Sequence, residues 1–277
     1  MLRQSYIKHK SADQVNMYKV GVSYLGKPIK PVYFFEIDGL VIDTGPSLAK
    51  SAVLKKLDGQ EISKILLTHT HEDHSGNAAV LKEKFGVPVL GHIQSMEIMM
   101  RGFDILPYQK AMFGQAAPVM IRPVDGKVET DHYSFEIIHT PGHAPEHIAL
   151  YERNQGWLFS GDLFVAEKIK YFRKFESLSE QIRSLKKLAR LDFGYLFCNH
   201  NPQLKDGKAK LIKKLHYFEE LYGKIKLQHN KGLSTDEIMK VVGIQKSLPI
   251  ELFTYKDVSP RYLITSVTRE LGVKENT

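Results

Sequence analysis

The sequence predicts an α/β fold followed by a small helical unit. Three observations carry that expectation. Short β-prone runs alternate with segments of helical spacing between Tyr18 and His200. Gly, Pro, Asp and Asn punctuate those runs. Beyond about Leu204 the spacing is helical only, which divides the chain into residues 1–203 and 204–277. A length of 277 residues suits one large domain with a small appendage.

The elements follow in order. Tyr18 to Thr44 reads as strands, and "VYFFEIDGLVID" (Val32 to Asp43) holds two runs parted by Asp38-Gly39, a hairpin signal. Asp43-Thr44-Gly45-Pro46 ends the second run. A helix follows, with Leu48, Ala52, Leu54 and Leu57 at helical spacing. "KILLT" is a strand, "GNAAVLKEKFG" a helix stopped by Gly86, and "VPVLGH" a strand. Ile93 to Pro123 is looser and reads as one short helix and a long loop. Strands resume at Tyr133–Thr140, His147–Glu152 and Gly156–Asp162. Ser179 to Leu191 is amphipathic through Ile182, Leu185, Leu188 and Ala189, and "FGYLFCNH" is a last strand ending at His200. In the tail, Lys208 to Lys226 is a long amphipathic helix. Ser234 and Glu237 form a capping box, and Ser259 caps a helix with Pro260 at its first position.

Hydrophobic residues make up 43% of the chain and charged ones 25%, ordinary for a globular protein with a sizeable core. The net charge of +8 is a lysine-rich surface first and a mild pointer to an anionic partner second. A single cysteine, Cys198, excludes an internal disulfide and suits a reducing compartment. The N-terminus lacks an apolar signal segment, and no stretch reaches membrane-spanning length. A cytoplasmic protein is therefore expected.

The strongest chemical signal is His69-Thr-His71-Glu-Asp73-His74, at the step from "KILLT" into the next helix. Imidazoles and carboxylates suit zinc and other borderline or hard divalent ions. Residues two apart in an extended segment point the same way, so His69 and His71 can share one ion. Asp73 and His74, on the first helical turn, project to a neighbouring position. One segment can thus serve two ions. Further donors stand where predicted strands end: His143 in "HTPGHAPEH", Asp162 in "SGDLF" and His200 in "CNHNP".

This ordered set resembles the metallo-β-lactamase-fold hydrolase superfamily. Asp43-Thr44-Gly45 and Thr140-Pro141-Gly142-His143 match flanking motifs of that group, and the resemblance runs from Tyr18 to about His200. It implies a four-layer αβ/βα sandwich with metals at one edge of two sheets. It implies that His69, His71 and His143 hold one metal, that Asp73, His74 and His200 hold a second, and that Asp162 bridges them. The metals would be two divalent ions, zinc by default, with iron or manganese suiting the same ligands. A hydroxide shared by both would be the nucleophile, with Asp73 orienting it and taking a proton. True β-lactamases of this fold often place cysteine at the Asp162 position, which argues against antibiotic hydrolysis here. The tail layout resembles the winged-helix-like appendage of the β-lactamase-like protein 2 group, some members of which cut single-stranded RNA.

Other polar residues have plainer readings. His147 is a buried hydrogen-bonding histidine, His92 a packing one, and His132 and His139 carry no motif. Glu72 is expected to face solvent and Cys198 to be a small buried hydrophobe. Lys168, Lys170, Tyr171 and Arg173 could meet an anionic substrate or simply form a solvated loop. Lys213, Lys214 and Lys224 are expected on a solvated face. The favoured function is hydrolysis of a small-molecule ester or thioester. The alternative is a metal-dependent endoribonuclease acting on single-stranded RNA, and a non-catalytic binding module is disfavoured by the complete ligand set.

Overall fold

The structure is a computed structural model that describes residues 3–274. A long antiparallel hairpin, β1 (Arg3–Ala12) and β2 (Val15–Tyr24), opens the chain. β3 (Lys27–Ile37) pairs with β2, and β4 (Leu40–Ile42) folds back on β3. Asp38 and Gly39 turn between them with φ of 51° and 77°, the two positive angles a tight hairpin turn uses. Pairing then becomes parallel. β5 (Lys64–Leu66), β6 (Val89–Gly91) and β7 (Ile121–Pro123) complete a seven-stranded sheet in sequence order. Parallel neighbours need crossovers. These are α1 (Lys50–Lys56), then α2 (Glu72–Ser75) with α3 (Ala78–Phe85), then α4 (Ser95–Arg101) with α5 (Pro107–Met112).

The second sheet begins as a meander of β8 (Lys127–Glu129), β9 (Ser134–His139), β10 (Ile148–Glu152) and β11 (Trp157–Gly161). The chain leaves it through β12 (Phe172–Arg173) and α6 (Leu178–Ala189), and β13 (Tyr195–Cys198) returns parallel to β11. The tail comprises α7 (Gly207–Asn230), α8 (Thr235–Val241), α9 (Leu248–Phe253), β14 (Val258–Ser259) and α10 (Arg261–Lys274). β14 pairs antiparallel with β12, Phe172 opposite Ser259.

Alternation along the strands sorts the core into layers. Ile42 and Leu66 face the second sheet with Phe35, Trp157, Phe159 and Phe197, and the Phe159 and Phe197 rings stack at 4.8 Å. Their neighbours Val41 and Ile65 face the other way, onto Val53, Leu57 and Leu81 of the crossover segments. On the far side of the second sheet, Leu158 and Leu196 pack under Leu185, Leu211, Phe218 and Leu263. The order is therefore helix, sheet, sheet, helix: a four-layer αβ/βα sandwich. Tail helices contribute to the outermost layer beside α6.

Four local expectations are corrected. Ile93–Pro123 holds two helices and a strand; scattered Met and Phe blur the helical period there, although Pro107 sits at the first turn of α5. The polar N-terminus forms β1, whose residues Gln4 to Ala12 are exposed or only half-buried and so carry little apolar patterning. The last helix begins at Arg261, with Ser259 in β14 and its Oγ accepting from the Arg261 N–H at 3.1 Å. Lys213 and Lys224 are exposed, but Lys214 is 1% exposed. It shares a helix face with Leu211, Leu215 and Phe218, donates to the Leu163 carbonyl at 2.7 Å and stands over the Phe218 ring.

Candidate metal centre

Strand ends gather the donors at one edge of the sandwich. β5 runs into Thr68-His69, β9 into Thr140 to His143, β11 into Gly161-Asp162, and β13 into Asn199-His200. The short α2 turns Asp73 and His74 inward directly after His71. His71 Nδ1 stands 3.0 Å from His69 Nε2 and 3.1 Å from His143 Nε2. Asp162 Oδ2 stands 3.7 Å from His143 Nε2, 3.5 Å from His74 Nε2 and 3.1 Å from His200 Nε2. Asp73 Oδ2 is 3.6 Å from His74 Nε2 and 3.5 Å from His200 Nε2. Three sets of donor atoms lie within 4.8 Å of one another: His69, His71 and His143; His69, His74 and Asp162; and Asp73, His74 and His200. All seven residues singled out in the sequence are thus together, with Asp162 between the two outer sets.

Hydrogen bonds behind the imidazoles aim their lone pairs inward. Asp43 Oδ2 accepts from His74 Nδ1 at 2.9 Å and from Thr68 Oγ1 at 2.8 Å. Thr68 Oγ1, its proton so committed, accepts from His69 Nδ1 at 3.0 Å. Glu176 Oε2 accepts from His143 Nδ1, and the Pro31 carbonyl from His200 Nδ1, both at 3.3 Å. In each case the acceptor engages Nδ1 and leaves Nε2 pointing at the centre, the nitrogen a metal ion would take in place of a proton. His147, fully buried as expected, accepts from the Asp162 N–H at 3.1 Å and is not turned to the centre. Burial, with His143 next, pushes it down to about 3.

Gly161 has φ of 50°, and a Cβ there would sit 2.3 Å from His147 Nε2. Gly76 is as tight, its Cβ position 2.3 Å from the Ser47 nitrogen. Both let the chain pass closely where ligand-bearing segments turn.

Burial first, then neighbouring imidazoles, lowers His69 well below the ordinary histidine value. Burial and then Arg173 do the same for His71. Burial also pushes His74 down, but Asp73, Asp162 and Asp43 outweigh it and hold it well above. That carboxylate field attracts positive charge. Among the described residues, His74 Nε2 and Asp162 Oδ1 are buried with no hydrogen-bond partner, a state that costs stability unless something coordinates them. Two edges of the His69–His71–His143 set, 3.0 and 3.1 Å, are near the roughly 3.3 Å edge of a tetrahedron with arms of about 2.0–2.1 Å. The residues fit divalent metal.

Comparison with known proteins decides the family. The profile of the metallo-beta-lactamase superfamily matches residues 33–200, more than half of the chain. The chain belongs to the metallo-beta-lactamase superfamily. Within it, the chain is 36% identical to hydroxyacylglutathione hydrolase GloC of Haemophilus influenzae, over 36% of this chain and 48% of that protein. It is 34% identical to a hydroxyacylglutathione hydrolase of Pseudomonas paraeruginosa, over 60% of this chain and 58% of that one. These alignments span only about half of each relative's length. The crystal structure of a metallo-beta-lactamase family protein from Thermus thermophilus superposes with a TM-score of 0.62 at 20% identity, covering 97% of this chain and 94% of that one. The likeness in fold to that protein therefore takes in the tail as well.

A cleft of about 570 Å³ opens beside the centre in this superfamily member, reaching from Thr70 and His71 to Arg173 and Asp257. Its polar groups are largely unannounced by the sequence. Glu72, expected in solvent, is 3% exposed and accepts from Gln109 Nε2 at 2.8 Å. Burial and then Asp73 raise its carboxyl above the usual range. Asp257 accepts from the Tyr108 hydroxyl at 2.6 Å and from Arg173 Nε at 3.0 Å. Glu146 accepts from the Thr70 N–H and hydroxyl. Of the four residues proposed to meet an anionic substrate, Arg173 lines the cleft, while Lys168 stands over the Tyr217 ring.

Proposed function

We propose that the chain is a dinuclear metal-dependent hydrolase acting on an ester or thioester of a small molecule. The observation that carries this reading is the pair of donor sets joined by the Asp162 carboxylate. His69, His71 and His143 would hold one ion and Asp73, His74 and His200 the other, with Asp162 serving both. Two divalent ions, zinc by default and iron or manganese on the same ligands, would generate a nucleophile from water near neutral pH and polarise the attacked carbonyl. Thr68, Asp43, Glu176 and the Pro31 carbonyl hold the imidazoles in the ligating tautomer. Asp73 Oδ2, facing the inner nitrogens of His74 and His200, orients the attacking water and accepts its proton. The cleft beside His71 receives the substrate. Similarity to hydroxyacylglutathione hydrolases supports a thioester, because hydroxyacylglutathione joins its acyl group to sulfur.

Among the described residues no helix is long and apolar enough to cross a membrane. Burial pushes the lone Cys198 thiol up to about 12, where it is protonated and inert. The single cysteine is what supports a cytoplasmic setting.

The test is a panel on metal-loaded protein: thioesters, lactones, phosphodiesters and single-stranded RNA, with Asp73→Ala as control. Cleavage of a thioester or ester is expected, with kcat at least about 10²-fold lower in the variant. Equal activity in the variant overturns the site assignment. Cleavage of RNA alone replaces the reading with the ribonuclease alternative.

A further inference from the structure

Among the described residues, Lys214 is the only buried lysine or arginine. Its ammonium donates to the Leu163 carbonyl at 2.7 Å and stands over two rings, that of Phe218 at 5.0 Å and that of Phe164 at 6.0 Å. Glu176 and Asp162 favour its charge, but burial outweighs them. A buried ammonium is costly to desolvate, and an apolar side chain of similar volume fills such a space without that cost. Packing alone does not account for a lysine here.

What the lysine holds is the turn that carries Asp162. β11 ends at Gly161, after an irregularity in its pairing with β13 between Phe159 and Gly161. Past that point the sheet ladder no longer fixes the chain, and three contacts take over. The Asp162 N–H donates to His147 Nε2 at 3.1 Å, the Leu163 N–H donates to the Ser160 carbonyl at 3.1 Å, and the Leu163 carbonyl accepts from Lys214. His147 and Ser160 belong to the second sheet and its margin, whereas Lys214 arrives from α7. Leu163 is fully buried, so without the lysine its carbonyl loses a donor where water is scarce. The turn would have to shift toward another donor. Such a shift moves Asp162 Oδ2, which now stands 3.1 Å from His200 Nε2 and 3.7 Å from His143 Nε2, between the two outer donor sets.

We propose that Lys214 is a positioning residue of the metal centre: by pinning the Leu163 carbonyl it holds the Asp162 carboxylate where two ions can share it. The inference rests on the two-ion part of the hydrolase reading and deepens it. It gives the helical tail a share in the centre, although none of the seven donors lies beyond His200.

Manganese(II) titrated into the metal-free full chain tests this without turnover. Two manganese ions sharing a carboxylate at roughly 3.5–4 Å give the exchange-coupled electron paramagnetic resonance signal of a pair, distinct from that of isolated ions. The wild type is expected to bind two ions and show the coupled signal. Lys214→Met fills a similar volume without a donor, and the Lys214→Gln amide ends one bond short of the carbonyl. Each variant is expected to hold one of the two ions at least about tenfold less tightly and, at equal manganese, to show isolated ions. Leu211→Ala loosens the same apolar cluster on α7 without touching the hydrogen bond, and it is expected to keep the coupled pair. A coupled pair of wild-type affinity in either Lys214 variant overturns the proposal. Equal loss of the pair in Leu211→Ala overturns it too, by making Lys214 one more packing residue. A wild type that never shows a coupled pair takes down the two-ion reading and the positioning role together. Thioester cleavage, followed separately, reports on the hydrolase reading: a coupled pair without cleavage would sink that reading and leave the role of Lys214 standing.

Discussion

Asp43 accepts four hydrogen bonds, from the Thr68 N–H, Thr68 Oγ1, His74 Nδ1 and Asn199 Nδ2, while its backbone sits at φ of 60°. A non-glycine residue in that region costs on the order of 1–3 kcal/mol and persists only where its surroundings hold it. Here the surroundings are β5, α2 and the end of β13, so one carboxylate ties three ligand-bearing segments together. Asp43→Asn keeps the shape, removes the charge and turns an amide N–H toward a donor that Asp43 now accepts from, in either orientation. The expected outcome is about 10- to 100-fold weaker metal affinity with secondary structure unchanged, read by chelator competition and circular dichroism. Unchanged affinity would show that Asp43 does not support the ligands. The motif Asp43-Thr44-Gly45 is visible in the sequence as a turn, but its partner His74 lies 31 residues away, so its task appears only in three dimensions. Glu72 shows the same limit in reverse. Its neighbours His71 and Asp73 are legible, yet its burial depends on Gln109 of α5, a segment whose placement no local pattern announces.

At the level of elements, spacing located strands and helices wherever one face is buried and the other wet. The hairpin at Asp38-Gly39 and the capping box at Ser234 and Glu237 stand where their turn chemistry puts them. Legibility failed where an element is mostly exposed or its burial irregular, as in β1 and in Ile93–Pro123. It also failed where a polar residue lies under another element. Lys214 on α7 is such a case, and burial pushes its ammonium down from 10.5 to about 8. Between those two values the unfolded chain binds a proton that the folded chain lacks, so raising pH through this window stabilises the fold. The full-length wild type is expected to gain up to about 1.4 kcal/mol per pH unit there relative to Lys214→Met, measured by urea unfolding at each pH. Parallel pH dependences in the two proteins would show that Lys214 stays charged in the fold.

At the scale of the molecule, the tail and the sandwich share one layer. Leu211, Phe218, Leu263 and Val267 pack in the same cluster as Leu158, Leu185, Leu188 and Leu196. β14 pairs with β12, and Asp257 reaches the wall of the cleft. We propose that the unit after residue 203 therefore unfolds with the body. A chain ended at Gln203 would expose Leu158, Leu188 and Leu196, each worth about 1.5–3 kcal/mol when buried. The full chain is expected to melt in one calorimetric transition and the shortened one to lose cooperative melting; two separate transitions in the full chain would count against this. Nothing in the tail's own spacing reveals which surface it covers, because an amphipathic helix records that it has a partner and not which one. The proposed chemistry depends above all on the centre itself, where four side chains from the β5–α2 segment and three from the ends of β9, β11 and β13 would hold two ions. Anomalous diffraction from crystals of the zinc-loaded protein addresses that arrangement most directly. Two peaks are expected, one among His69, His71 and His143 and one among Asp73, His74 and His200, with the Asp162 carboxylate touching both. A single peak, or peaks away from these residues, would contradict it.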